Sequence, residues 1–471
     1  MENFKLKRGV LILIVVFFVF VLGFLAFYFI GKSRIGLDSV PRDSSSGAKT
    51  DIPHGETAVS DLNFWEFYQA ISNSDGEKNY LALFQNSMEL RPGGGFIGSF
   101  ALVTVENGKI KEKKIFDTGI FDGYIKGSGE PPYPVKKFLT SPELGIRDAN
   151  WSLDFPTNAK LITDLYHKSG ATEKIDGVIG ITTEILPFFL EKTGPIILSG
   201  VPGEFTAKNC LEKLEYEVEW NYPQRGVEKK DRKQILTDLT EKILDFFKNQ
   251  NKLEQIALLD DLKALLKQKE VQLFFDEPTL EAYVQKNGWG GEMAPSLESD
   301  YLSLVDANLG ALKTDRCISR DFLYKVDFSL PKEPKASLEV TYKHNCKEKD
   351  FMTDNYHSYL RVYTRNDAWL SKTEGFDAGR LDEIMKDRND AVIEREKDKV
   401  AFGNLAFVFL GQERKYSFFY TLSPELTLDS YQLVFQRQAG MNPPHLKVVI
   451  KDAKKETTLF DGEAKSDLLI K

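Results

Sequence analysis

Val10 to Ile30 reads VLILIVVFFVFVLGFLAFYFI, an apolar run without charge or proline. About 20 such residues, wound as a helix that satisfies its own backbone hydrogen bonds, cross the ~30 Å hydrocarbon layer of a bilayer. A cleaved signal peptide would have a shorter apolar core and a small-x-small site, whereas Phe27, Tyr28 and Phe29 occupy that place here. The run therefore predicts an uncleaved anchor. Lys5, Lys7 and Arg8 precede it, while Lys32 and Arg34 follow it. The short basic tail before the first helix favours a cytoplasmic N-terminus and a large domain outside the cytoplasmic membrane.

Residues 1–31 are thus read as tail and anchor. Residues 32–60, rich in Ser, Gly, Pro and Asp, are read as a polar stalk. The remaining length suits two domains, and 42% hydrophobic with 28% charged residues is the composition of a globular chain. A net charge of −8 offers no global positive field to nucleic acid. Cys210, Cys317 and Cys346 form no CxxC, and the five histidines are scattered, so a Cys/His zinc site is not expected. Cys317 and Cys346 have the option of pairing in an oxidising compartment; the alternative is small buried thiols.

Between 61 and 320 short apolar runs alternate with amphipathic segments, which predicts an α/β (α+β) domain. Tyr80–Phe84, Phe100–Val105, Lys109–Phe116 and Asp176–Ile181 read as strands, with Asn107-Gly108 as a hairpin turn. Thr157–Ser169, Glu184–Lys192, Asp231–Asn249 and Leu253–Gln268 read as helices. From 321 to 471 short alternating segments such as Ala336–Tyr342 and Tyr416–Leu422 predict a β-sandwich, with the boundary between 316 and 322.

The most unusual stretch is Glu89-Leu90-Arg91-Pro92-Gly93-Gly94-Gly95. Successive backbone N–H groups freed by Gly93, Gly94 and Gly95, together with the Arg91 fork, suit a phosphate or carboxylate; a plain tight turn is the alternative. A second cluster, Arg147-Asp148-Ala149-Asn150-Trp151-Ser152-Leu153-Asp154, offers substrate contacts or a divalent ion on Asp148 and Asp154, or simply a helix cap at Asp154. Arg225, Arg232 and Gln234 surround a predicted helix start, where anions are favoured unless the turn is merely solvated. Lys313 ends a fourth polar turn after Asp300–Val305. No Ser/His/Asp or Cys/His arrangement suggests nucleophilic hydrolysis.

Four stretches carry a family likeness: Gln85–Phe96, Arg147–Pro156, Asp176–Pro195 and Asp300–Lys313. Together they resemble a bacterial family of membrane-anchored envelope proteins of unknown function, itself distantly similar to the LytR–CpsA–Psr phosphotransferases. Those enzymes move a glycopolymer from a polyprenyl-pyrophosphate carrier to the cell wall. The resemblance implies a LytR–CpsA–Psr-like α/β fold, with Arg91, Arg225 and Arg232 as pyrophosphate ligands and Mg held through Glu89 or Asp148. It also implies a polyprenyl-pyrophosphate lipid or cell-wall glycan as partner. Here Arg-Pro-Gly-Gly-Gly replaces the usual Arg-x-Asp-Thr stretch, and Lys233-Gln234 replaces an Arg-Gln pair. Two functions stay open: binding or transfer of a lipid-linked glycopolymer, and a non-catalytic envelope scaffold that binds glycan or protein. Convergence of Arg91, Arg225 and Arg232 in one pocket would favour the enzyme.

Overall fold

The computed structural model describes residues 48–49, 62, 64–72 and 76–471, apart from 108, 140, 233, 296–297, 331 and 378–390. The expected anchor and nearly all of the expected stalk lie outside these residues. Among the described residues no helix is long and apolar enough to cross a membrane.

The first strand, β1 (Ala48–Lys49), belongs to the distant C-terminal sheet and is followed by α1 (Phe64–Ser72). The α/β domain is then built on β2 (Lys78–Asn86), β3 (Phe96–Glu106), β4 (Lys109–Asp117) and β5 (Gly177–Thr182). Further along come the two-residue strands β6 (Ile196–Ile197) and β7 (Glu204–Phe205), then β8 (Val271–Phe275). The main sheet runs β4-β3-β2-β5-β8, and only the central β2–β5 pair is parallel.

That parallel pair needs a crossover, and α2 (Phe155–Lys168) provides its helix. Asp154 caps α2 by accepting from Thr157 N at 3.1 Å. Its apolar stripe of Ala159, Ile162 and Leu165 packs with Leu81, Leu83 and Val178 on one face of the sheet. The opposite face is covered by α3 (Ile185–Thr193), α4 (Cys210–Glu215), α5 (Gln234–Lys248), α6 (Lys252–Lys267) and α7 (Pro278–Lys286). Ile235, Leu239, Ile243 and Phe247 recur along α5 at helical spacing, and all are buried in that core. With both faces covered, β5 and β8 are buried at every position, which explains their largely apolar sequences.

The C-terminal region is a sandwich of β9 (Asp300–Asn308), β10 (Ile318–Asp327), β11 (Lys335–His344), β12 (Tyr356–Arg365), β13 (Trp369–Glu374), β14 (Val392–Glu396), β15 (Lys399–Val408), β16 (Glu413–Thr421), β17 (Leu433–Phe435), β18 (His445–Lys451), β19 (Glu456–Glu463) and β20 (Leu468–Ile470). One sheet runs β1-β20-β17-β9-β12-β15-β14 and the other β13-β16-β11-β10-β18-β19. Residues of both sheets, among them Leu304, Leu360, Phe402, Leu338, Phe418 and Val448, share one core. Alternate burial along β10 and β11 shows that the second sheet has a solvated outer face. In contrast, β9 is buried at all nine positions, because the outer face of its sheet meets the α/β domain. Strand β9, which precedes the expected boundary between 316 and 322, pairs with β12 of the sandwich. Cys317 and Cys346 form a disulfide across the start of β10 and the chain following β11, whereas Cys210 is a free, buried thiol.

Candidate ligand-binding cleft

The Arg91 segment is interior, not open. Arg91 is only 2% exposed. Its Nε donates to Asp148 at 3.1 Å, Nη2 to Glu89 at 3.1 Å and Nη1 to the Asn308 carbonyl at 2.8 Å. Burial raises the Glu89 pKa, while the adjacent Arg91 opposes that shift. The cation expected to bind an anion is thus a buried structural one, because its donors are taken up inside the protein.

The glycine turn is equally closed. A Cβ on Gly93 would lie 2.7 Å from Asn158 Nδ2 and 2.9 Å from Asn150 Cβ. Gly94 and Gly95 have φ of +129° and +145°, and Gly94 meets the backbone of Gly440 from the sandwich. These glycines allow two backbones to touch; the plain packing alternative describes them better than an anion nest.

The second motif also packs inward. Asn150 is fully buried and donates to Gln85 Oε1 at 2.8 Å and to the Gly95 carbonyl at 2.7 Å. Arg361 of β12 lies over the Trp151 ring at 4.9 Å and donates to the Trp151 carbonyl at 2.7 Å. Asp154, besides capping α2, accepts from Met293 N at 2.8 Å and pairs with Lys397 at 2.6 Å. Glu89 and Asp148 are held by Arg91 and Asp154 by these partners, so the three expected metal ligands do not converge. Among the described residues no group of three or more His, Cys, Asp or Glu could hold a metal ion. The magnesium implied by the family likeness does not fit these side chains.

Arg225 pairs with Glu217 at 2.9 Å and donates to its carbonyl at 3.0 Å, and Gln234 is exposed with Asp238 as its partner. Of Arg91, Arg225 and Arg232, Arg232 alone lines the cleft described next. Arg147, Arg232 and Lys313 all line one cleft of about 410 Å³.

That cleft opens at the carboxyl ends of the parallel strands β2 and β5, where Gln85, Asn86, Ile181 and Thr182 contribute to its wall. Ligand crevices of open α/β sheets lie at the carboxyl ends of their strands. Phe84, Ile181, Leu186, Leu211, Leu214 and Leu236 give it an apolar interior, and its size suits a small ligand or part of a larger one. Arg147 pairs with Asp122 at 2.8 Å, Arg232 with Glu219 at 2.5 Å, and Lys313 lies 3.7 Å from Glu215. Burial raises the Glu215 pKa, opposed chiefly by Lys313. Asp117, Glu215 and Glu219 also line the cleft, so its wall is apolar with charges of both signs.

The apolar lining was not singled out in the sequence. Its residues come from segments far apart, and the only local signal was two apolar runs ending in polar turns at Gln85 and Thr182.

Residues 75–218 match the model of a family described as a protein of unknown function (DUF4012). That segment holds β2 to α4 and most of the cleft wall, but neither α5 nor the sandwich. No curated protein matches the chain significantly. Solved structures with partial similarity include an M1 zinc metallopeptidase mutant from Deinococcus radiodurans bound to a Tyr-Ser-Ala substrate. It is 8% identical with a TM-score of 0.19, covering 33% of this chain and 42% of that one. An M1 zinc metallopeptidase from the same organism is 9% identical with a TM-score of 0.15, covering 32% and 41%. The match thus spans less than half of those chains, and scores this low assign no fold.

Proposed function

We propose that this chain is a membrane-anchored, extracytoplasmic envelope protein whose α/β domain binds a lipid-linked anionic headgroup, of the polyprenyl-pyrophosphate glycopolymer class. The observation that carries the proposal is the cleft: an apolar interior with Arg147, Arg232 and Lys313 in its wall. An amphiphile needs both surfaces, since apolar burial favours its chain and guanidinium or ammonium groups pair with its phosphates. The apolar run 10–30 supports attachment beside a bilayer, and the Cys317–Cys346 disulfide supports an oxidising compartment. The distant likeness to LytR–CpsA–Psr phosphotransferases points to the same ligand class.

Binding and presentation, in place of transfer, is the role the side chains favour. The carboxylates expected to hold a metal are engaged by Arg91, Lys397 and backbone groups.

Full-length protein extracted in mild detergent, with its lipids analysed by mass spectrometry, tests the proposal. A co-purifying polyprenyl lipid is expected, with its amount reduced about tenfold by Arg232→Ala or Lys313→Ala through loss of a charge-assisted contact. Leu186→Trp, which fills the cleft, is expected to remove it. Retention of the lipid by a folded Leu186→Trp variant would refute the cleft as its site.

A further inference from the structure

One wall of the cleft continues into an exposed aromatic platform. After α4 the chain makes a π-helical turn, Tyr216–Trp220, closed by Asn221 N donating to the Tyr216 carbonyl at 2.8 Å. A turn with this i→i+5 bond holds one residue more than an α-turn and recurs at functional sites. Here it turns Glu217 and Val218 inward while Tyr216 and Trp220 are 41% and 56% exposed. Arg225 secures it by donating to the Glu217 carbonyl and forming an ion pair with the Glu217 carboxylate. Phe351, 37% exposed, comes from the sandwich region and stacks on Trp220 at 5.4 Å. Glu215, Val218 and Glu219 of the same segment line the cleft. Gly119 is also in the lining, and the following Ile120 is 60% exposed.

We infer that Tyr216, Trp220, Phe351 and Ile120 form a docking surface for the lipid bilayer, holding the cleft mouth against the membrane interface so that a lipid enters directly. This inference rests on the cleft reading above and adds a partner to it. The exposed Tyr216 and Trp220 alternate in sequence with the cleft-lining Glu215, Val218 and Glu219, so a chain leaving the bilayer beside them has a short path to the apolar interior. Trp and Tyr are the side chains that favour the headgroup boundary. The chain supplies the proximity: β1 ties Ala48 to the sandwich, and the backbone from Ile30 to Ala48 reaches at most about 65 Å.

Full-length protein reconstituted in phosphatidylglycerol-containing vesicles with brominated acyl chains tests the contact. Bromine quenches a nearby indole, and the wild-type minus Trp220→Phe difference isolates Trp220 from the other tryptophans. The difference signal is expected to fall by about half or more relative to plain vesicles, as for an interfacial indole. A signal indifferent to bromine overturns the inference, as does one that responds to soluble glycan oligomers in its place.

Loading separates this inference from the cleft proposal. The variant carrying Tyr216→Ser, Trp220→Ser and Phe351→Ser is expected to bind a polyprenyl-pyrophosphate analogue in micelles as the wild type does. From vesicles it should load about tenfold more slowly, because docking is lost. Equal loading rates would overturn the docking role. Wild-type protein that binds no analogue in micelles would refute the cleft proposal, while bromine quenching still decides the docking surface.

Discussion

Arg91 donates from Nε to the Asp148 carboxylate at 3.1 Å, so the two most distinctive segments of the sequence meet inside the protein. The sandwich joins them there: Asn308 of β9 accepts from Arg91, its N–H donates to the Leu90 carbonyl at 2.9 Å, and Gln438 donates to the Arg91 carbonyl at 3.0 Å. Asp315 accepts from Leu90 N at 3.0 Å and from Arg320 at 2.7 Å, extending the network into β10. Residues that resemble a ligand site in sequence are fasteners between two domains.

Arg91→Ala is accordingly expected to lower stability by about 3–5 kcal/mol, because it leaves Glu89 and Asp148 buried without their counter-charge. Arg91→Lys should recover only part, since an ammonium cannot reproduce the planar fork. Urea unfolding measures both. An Arg91→Ala protein as stable as the wild type would remove the fastener role.

Gly440 has φ of +68° and sits against the Gly94 backbone. Gly440→Ala would drive a methyl group into the Gly94 carbonyl in a conformation unfavourable to L side chains. The expected result is loosened domain docking, seen as faster amide exchange at β9 and in the 88–95 turn. Gly170→Ala, also at positive φ but with open space around it, serves as the control for backbone strain alone.

Burial, reinforced by Glu270, raises the Glu184 pKa from 4.5 to about 7. The folded state therefore holds this proton more tightly than the unfolded chain, and stability falls as pH rises from about 4.5 to about 7. Burial likewise raises Asp300 from 3.8 to about 6, with the same sign over a lower window. Glu184→Gln cannot ionise and keeps a group able to bond Ser87, which donates to Glu184 at 2.9 Å. Its Tm is expected to decline less than that of the wild type between about pH 6 and pH 7.5. Parallel Tm curves for the two proteins would assign the slope to other groups.

The Cys317–Cys346 bond closes a separation of 29 residues. Replacing both by Ser is expected to cost about 3–4 kcal/mol, mainly through a less restricted unfolded chain. Protein extracted in alkylating reagent should take up no label when native and one after denaturation, at Cys210. Two further labels should appear only after reduction. Three labels without reductant would show that the disulfide does not form in the cell.

Local patterning revealed much of the fold, with informative exceptions. The stripe on α5 and the alternation along β11 each report one buried face, and both elements were visible in the sequence. Strand β9 joins the sandwich sheet although it precedes the expected boundary, and a strand covered on both sides carries no alternation of buried and exposed positions to mark its sheet. Its decisive partner, β12, is remote in sequence. The same distance effect concealed the cleft: Phe84, Leu186, Leu211 and Leu236 look like ordinary core residues until the ends of two parallel strands bring them together. Arg147, Arg232 and Lys313 were recognisable as candidate ligands by charge. Arg91 drew attention for the same reason, and sequence alone does not distinguish a cation facing a cavity from one buried between two carboxylates.

The pairing of Ala48 with Ile470 and Lys49 with Leu469 has a mechanical consequence. In an antiparallel pair of this register, the chain before Ala48 and the chain after Ile470 leave from the same end. Tension between an N-terminal tether and any load attached at Lys471 acts first on β1 and β20, peeling them apart one residue pair at a time. The α/β sheet and its cleft lie outside that force path, so pulling at these two exits leaves the cleft undistorted until β1 and β20 have parted.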